Sequence, residues 1–153
     1  EVFVFVFFGL VAVAGTTYLQ TSTWEPLAFA AAIPVGALIT AILVVNNLRD
    51  IDTDAKTGKR TLAVIIGERG AMDEYDLIVA VAYAIQVALL VSGDVTWTVL
   101  LPLASLPLTM ALFRVVHAGG DPRRLNPVLR ETARLSLIYC LLFAVGLGVQ
   151  GIV

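Results

Sequence analysis

Apolar residues run along this chain in five long stretches, residues 2–19, 27–45, 77–92, 95–116 and 135–153, broken by two short connections and two longer charged ones. Each stretch is apolar on every side. A helix needs about 20 such residues to cross a bilayer, whereas a barrel strand alternates in hydrophobicity over about 10. The pattern predicts an all-α protein, a polytopic bundle of five transmembrane helices. Pro34, Pro102 and Pro107 fall inside the stretches, where packed neighbours tolerate a kinked helix. Gly146 and Gly148 in the last stretch suit close helix contact.

Composition supports lipid as the solvent. Hydrophobic residues make up 59% of the chain and charged residues 14%, against about 45–50% and 25% in soluble domains. A soluble fold of 153 residues has no means of hiding that much apolar surface. The formal net charge of −2 argues against a nucleic-acid partner. Cys140 is the only cysteine, which excludes an internal disulfide and a zinc cluster and reads as a small buried side chain. The sequence opens at Glu1 inside an apolar run, with no basic segment before it, and stops at Val153 inside another. It reads as a piece of a longer protein and not as one led by a signal peptide.

Charge sets an expected orientation. Of the ten Lys and Arg residues, Arg49, Lys56, Lys59, Arg60 and Arg69 lie between the second and third spans, and Arg114, Arg123, Arg124, Arg130 and Arg134 lie between the fourth and fifth or at their edges. The other two connections, residues 16–26 and 93–94, hold none. Five alternating spans put both basic loops on one side, which the positive-inside rule makes cytoplasmic. Glu1 then lies at the cytoplasmic face and Val153 at the opposite one. Tyr18, Trp24 and Trp97 cluster at the non-cytoplasmic ends as interfacial aromatics.

Candidate chemistry collects in residues 46–61, NNLRDIDTDAKTGKRT. If the second helix continues through this segment, Asp50 and Asp54 share one face four residues apart. Two carboxylates so placed repel unless a cation joins them, and hard oxygen ligands suit Mg²⁺, which is held by a few carboxylates plus substrate phosphates. Asp52 points elsewhere. Asn46 and Asn47 can line the same helical surface as Asp50. Lys59 and Arg60 offer charge and bidentate donors to phosphate oxygens, and Gly58 allows a turn that brings them back toward the aspartates. A calcium loop is rejected, because Ala55 and Thr61 stand where an EF-hand needs glycine and glutamate. A merely solvated topology loop stays level with the metal–diphosphate reading on composition alone. However, Asp50, Asp52, Asp54, Glu68, Asp73, Glu74 and Asp76 add an acidic excess that the positive-inside rule does not ask for.

The stretch NNLRDIDTDAKTGKRTLAVIIG closely resembles the second aspartate-rich motif of the UbiA superfamily of intramembrane prenyltransferases. Its paired asparagines, RDIDTD core and GKRTLA are most similar to the menaquinone-pathway branch, which prenylates 1,4-dihydroxy-2-naphthoate. LNPVLRETARLSLIYCLLFAVGL, residues 125–147, resembles that group's last cytoplasmic loop and final helix. The resemblance implies a nine-helix fold of which these five spans are the last five. It implies a polyprenyl diphosphate donor, an aromatic acceptor that attacks the allylic carbon as diphosphate leaves, and loss of the acceptor's carboxylate in this branch.

On that resemblance Asp50 and Asp54 bind Mg²⁺, and Asn46 and Asn47 line the diphosphate or acceptor end of the cavity. Lys59 and Arg60 stabilise the leaving diphosphate, and residues 61–70 form a short water-excluding lid helix. Arg49 faces either phosphates or lipid headgroups. The first aspartate-rich motif belongs to an N-terminal half absent from this sequence, so the fragment alone is expected to be inactive. Residues 1–153 are expected to form a single transmembrane domain in a bacterial cell membrane. Other aromatics, 4-hydroxybenzoate or homogentisate, are the rival acceptors. A transporter or structural subunit is the rival outside enzymes, but no span has an ionisable residue at its centre. His117 and Arg123, Arg124 and Arg130 read as interface residues, and Glu131 and Arg134 as a pair.

Overall fold

A computed structural model describes residues 1–149, and it is helical with no strand among them. Helix α1 spans Val2–Thr21 and is wound as a π-helix over Phe5–Gly15. Helix α2 spans Pro26–Arg49, with Pro26 in its first turn, where the missing N–H costs nothing. A short helix α3, Ile51–Lys56, follows, and then the long α4, Leu62–Ser92. Helix α5 covers Trp97–Val116. Its first half, Trp97–Ser105, is a 3₁₀ helix that contains Pro102, and its α-helical half starts beside Pro107. Helix α6 spans Leu125–Gly148.

The chain is an all-α membrane bundle. Helices α1, α2, α4 and α5 are long and apolar enough to cross a bilayer. The fifth expected span is the apolar part of α6 from Leu135 onward. Its first turns carry Arg130, Glu131 and Arg134, and its last residues, from 150 on, lie outside the described residues, as does the expected placement of Val153. The third span is longer than its apolar stretch, because residues 68–76 continue the same helix instead of forming loop.

Helix α2 is the centre of the bundle and packs against α1, α4 and α6. Its inward residues Leu38, Val44, Val45 and Leu48 share one core with Ala71, Tyr75 and Val79 of α4 and Leu135 and Tyr139 of α6. Phe3, Phe7 and Phe8 of α1, Leu77 and Val91 of α4 and Leu137 and Leu141 of α6 stay exposed, as suits a surface solvated by lipid. Two contacts are made by glycine. A Cβ on Gly9 of α1 would sit 2.7 Å from Gly36 Cα of α2, and one on Gly146 of α6 would sit 2.2 Å from the Thr98 carbonyl oxygen of α5. Gly148, expected to act like Gly146, has nothing within 4 Å.

Hydroxyls join the remaining helices. The Tyr83 hydroxyl on α4 lies 2.6 Å from Ser105 Oγ and 2.7 Å from Thr109 Oγ1 on α5, and Tyr139 of α6 donates to the Ala82 carbonyl of α4. Tyr83→Phe is expected to destabilise the bundle by about 1 kcal/mol, read as a lower thermal midpoint in detergent. An unchanged midpoint would show that Ser105 and Thr109 satisfy each other without it.

Candidate functional site

The polar cluster forms where α2 leaves the bundle. The helix stops at Arg49, and Asp50 adopts φ −95°, ψ 7° before α3 begins. Helix α2 therefore does not run on unbroken through the motif. The i to i+4 spacing nevertheless survives the break, because the Asp50 N–H donates to the Asn46 carbonyl at 3.1 Å and the Asp54 N–H to the Asp50 carbonyl at 2.8 Å. Asp50 and Asp54 thus stay one turn apart, while Asp52 is exposed on another face.

The two carboxylates sit in different surroundings. Asp54 is only 7% exposed and accepts from Lys59 Nζ at 2.8 Å. Lys59 reaches it because Gly58, at φ +77°, turns the chain and the Lys59 N–H donates to the Asp54 carbonyl at 2.9 Å. Arg60 does not follow it: its side chain is exposed and makes no ion pair among the described residues. Asp50 is gripped by its neighbour, with Arg49 Nε on Oδ1 at 2.7 Å and NH2 on Oδ2 at 2.6 Å. That charged hydrogen bonding holds the Asp50 carboxyl below its ordinary pKa, with Lys59 adding a weaker pull in the same direction. A lowered carboxylate pKa contributes stability above the unfolded value and loses it as pH falls through the folded one, so this pair persists at neutral pH.

Arg49, with 27% of its side chain exposed, is held by several polar partners. Its NH2 also donates to Asn46 Oδ1 at 2.9 Å and its NH1 to Asn126 Oδ1 at 3.3 Å, which ties the first charged loop to the start of α6. The two asparagines diverge. Asn46 stays with Arg49 and Asp50, whereas Asn47 is buried and donates to Glu1 Oε1 at 2.7 Å. Nothing in the sequence ties Asn126, beside Pro127, or Glu1, at the chain start, to this cluster. Thr61 caps α4 by accepting the Val64 N–H at 3.3 Å. Gly67, at φ 79°, ψ 171°, then breaks that helix, so a short helical segment is set off from the span beyond it.

Among the described residues no three His, Cys, Asp or Glu side chains come close enough to hold a metal ion. Asp50 and Asp54, with the Asn46 amide oxygen nearby, are a two-carboxylate oxygen donor set. Such a set fits Mg²⁺, which keeps its waters and takes only one or two carboxylates beside substrate phosphates.

Some charged residues outside this loop have structural partners. Arg124 donates to the carbonyls of Val115 and Val116 and caps the end of α5. His117 lies 3.5 Å from Asp76 and contacts the Phe113 carbonyl. Glu131 and Arg134 pair at 3.4 Å.

The sequence profile described as the UbiA prenyltransferase family matches residues 1–138. The chain belongs to the UbiA prenyltransferase family. Among curated proteins this UbiA chain is 37% identical over 147 residues to a 1,4-dihydroxy-2-naphthoate octaprenyltransferase of Haemophilus influenzae, covering 96% of the chain and 48% of that protein. It is 40% identical over 144 residues to a protein of the same name from Mycobacterium tuberculosis, covering 94% and 48%. It is also 29% identical to the UbiA prenyltransferase domain-containing protein 1 of Danio rerio, covering 96% and 42%. The chain thus spans about half the length of the curated relatives it matches. No solved structure matches it.

Proposed function

We propose that this chain is the C-terminal part of a nine-helix, membrane-embedded enzyme. That enzyme transfers a polyprenyl group from polyprenyl diphosphate to 1,4-dihydroxy-2-naphthoate with Mg²⁺, forming demethylmenaquinone on the way to menaquinone. The observation that carries the reading is the pair Asp50 and Asp54, kept one turn apart at the end of α2 with Arg49 and Lys59 on their oxygens. The names of its relatives support the acceptor.

In this reading Asp50 and Asp54 hold Mg²⁺, which when bound supplies positive charge to the diphosphate. Arg49 keeps Asp50 ionised and oriented. Lys59, whose side chain is 56% exposed against 10% for Asp54, is free to turn from the carboxylate to phosphate oxygens. Arg60, unpaired and exposed among the described residues, joins it in neutralising the charge that builds as the allylic C–O bond breaks. Asn46 and Asn47 contact the diphosphate or the acceptor. The helical segment between Thr61 and Gly67 covers the site and keeps water from the allylic cation. Residues 1–153 form one transmembrane domain with the rest of the fold, in a bacterial cell membrane with the charged loops cytoplasmic. The N-terminal half supplies the other aspartate-rich motif.

The test uses the full-length protein in nanodiscs, with labelled polyprenyl diphosphate and 1,4-dihydroxy-2-naphthoate, in Mg²⁺ and in chelator. Product formed only with Mg²⁺ is the expected result. Transfer only to 4-hydroxybenzoate or homogentisate would overturn the acceptor, and full activity in chelator would overturn the metal.

A further inference from the structure

At the end of the bundle opposite the aspartate loop, a cavity of about 580 Å³ opens between the start of α2 and the end of α4. Leu27 and Ala30 form one wall and Ile85 and Leu89 the other, with Glu25 and Asp94 among the lining residues. The charge at this end is one-sided. The two connections there, residues 16–26 and 93–94, contain Glu25 and Asp94 and no Lys, Arg or His. The two acidic residues of that end thus line the same cavity. Among the described residues the Glu25 carboxylate accepts from the Thr23 hydroxyl alone, at 2.6 Å, and the Asp94 carboxylate has no partner. The depth is marked by aromatics. Tyr18 stacks on Trp24 with ring centroids 4.3 Å apart, and Trp97 is 70% exposed, as befits the headgroup layer of a bilayer.

An apolar slot between membrane helices, at headgroup depth, with two carboxylates and no cation, complements one kind of molecule. The walls suit an acyl chain, and the carboxylates suit a compact ammonium with N–H donors. An anionic headgroup would be repelled, and a choline headgroup has no N–H to donate. We propose that this cavity seats a phospholipid with a primary-ammonium headgroup, the ammonium lying between Glu25 and Asp94 and an acyl chain along Leu27 and Ile85. The proposal does not depend on the acceptor or the metal.

The experiment measures lipid carried by the purified full-length protein, by native mass spectrometry after exchange into equimolar phosphatidylethanolamine, phosphatidylcholine and phosphatidylglycerol. Wild type is expected to retain phosphatidylethanolamine about fivefold to tenfold over the other two. The double variant Glu25→Gln, Asp94→Asn is expected to lose that preference while keeping the bundle intact, since both residues are exposed. Ala88→Trp, which keeps both carboxylates but fills the cavity from α4, is expected to lower retention as well. Equal retention of the three lipids, a preference that survives the double variant, or no retained lipid because the rest of the chain occupies the cavity would each overturn it.

Discussion

Asp54→Ala in the full-length protein is expected to lower prenyl transfer by about 10²–10³-fold, with Asp50→Ala close behind. Asp54 should suffer more because of where it sits. Its side chain is 10% exposed, against 35% for Asp50, so water is less able to take its place as an oxygen donor. The loss should not come from unfolding. Asp54→Ala leaves Lys59 without its 2.8 Å partner, but that ammonium is more than half exposed and water solvates it. With its cation exposed to solvent, such a pair is worth only about 1 kcal/mol, and the alanine leaves no charge buried without a partner. Asp54→Asn, which keeps the shape and removes the charge, should lose activity nearly as far while melting at the wild-type temperature. The check is initial rate at saturating acceptor across a Mg²⁺ series, with thermal midpoints recorded in parallel. Both alanine variants at full rate would return this loop to the role of a solvated topology signal.

Gly9→Leu should be the most disruptive of the single changes in α1, lowering stability by about 2–3 kcal/mol. The first added carbon alone would lie 2.7 Å from Gly36 Cα and 3.0 Å from the Ala32 carbonyl oxygen. Those are backbone atoms of the central helix, so neither has a rotamer into which to retreat, and α1 must move off α2. In a bilayer little hydrophobic force pulls the helices back together, since lipid tails are as apolar as leucine and close packing does much of the work. Gly15→Leu is the matched control, because a Cβ there meets only a Val11 methyl at 4.0 Å. Thermal unfolding in one detergent compares the two. If they melt together, the close approach of α1 and α2 is not what holds the first helix.

Much of this was open to reading from the chain alone, for a physical reason. Crossing a bilayer imposes a minimum run of apolar residues and forbids unpaired backbone, so helices declare themselves by length. The RDIDTD core and the GKRT turn are local as well. Spacing alone put Asp50 and Asp54 one turn apart, and Gly58 was enough to bring Lys59 back to Asp54. What failed was mostly at element ends. The break at Asp50, the extension of α4 back to Leu62 and the 3₁₀ winding before Ser105 depend on packing and capping that hydropathy does not register.

The sequence by itself determined that the chain lives in a membrane, where its helices run, and which short loop holds its carboxylates and cations, because all three depend on residues near one another along the chain. Only the tertiary structure decided which residues meet across it. Arg49 joins Asp50 to Asn126, Arg124 closes the end of α5, Gly9 meets Gly36 while Gly148 meets nothing, and Glu25 and Asp94 line one cavity. Each of these pairings depends on how whole helices cross, and the crossing is decided by packing summed over many side chains at once.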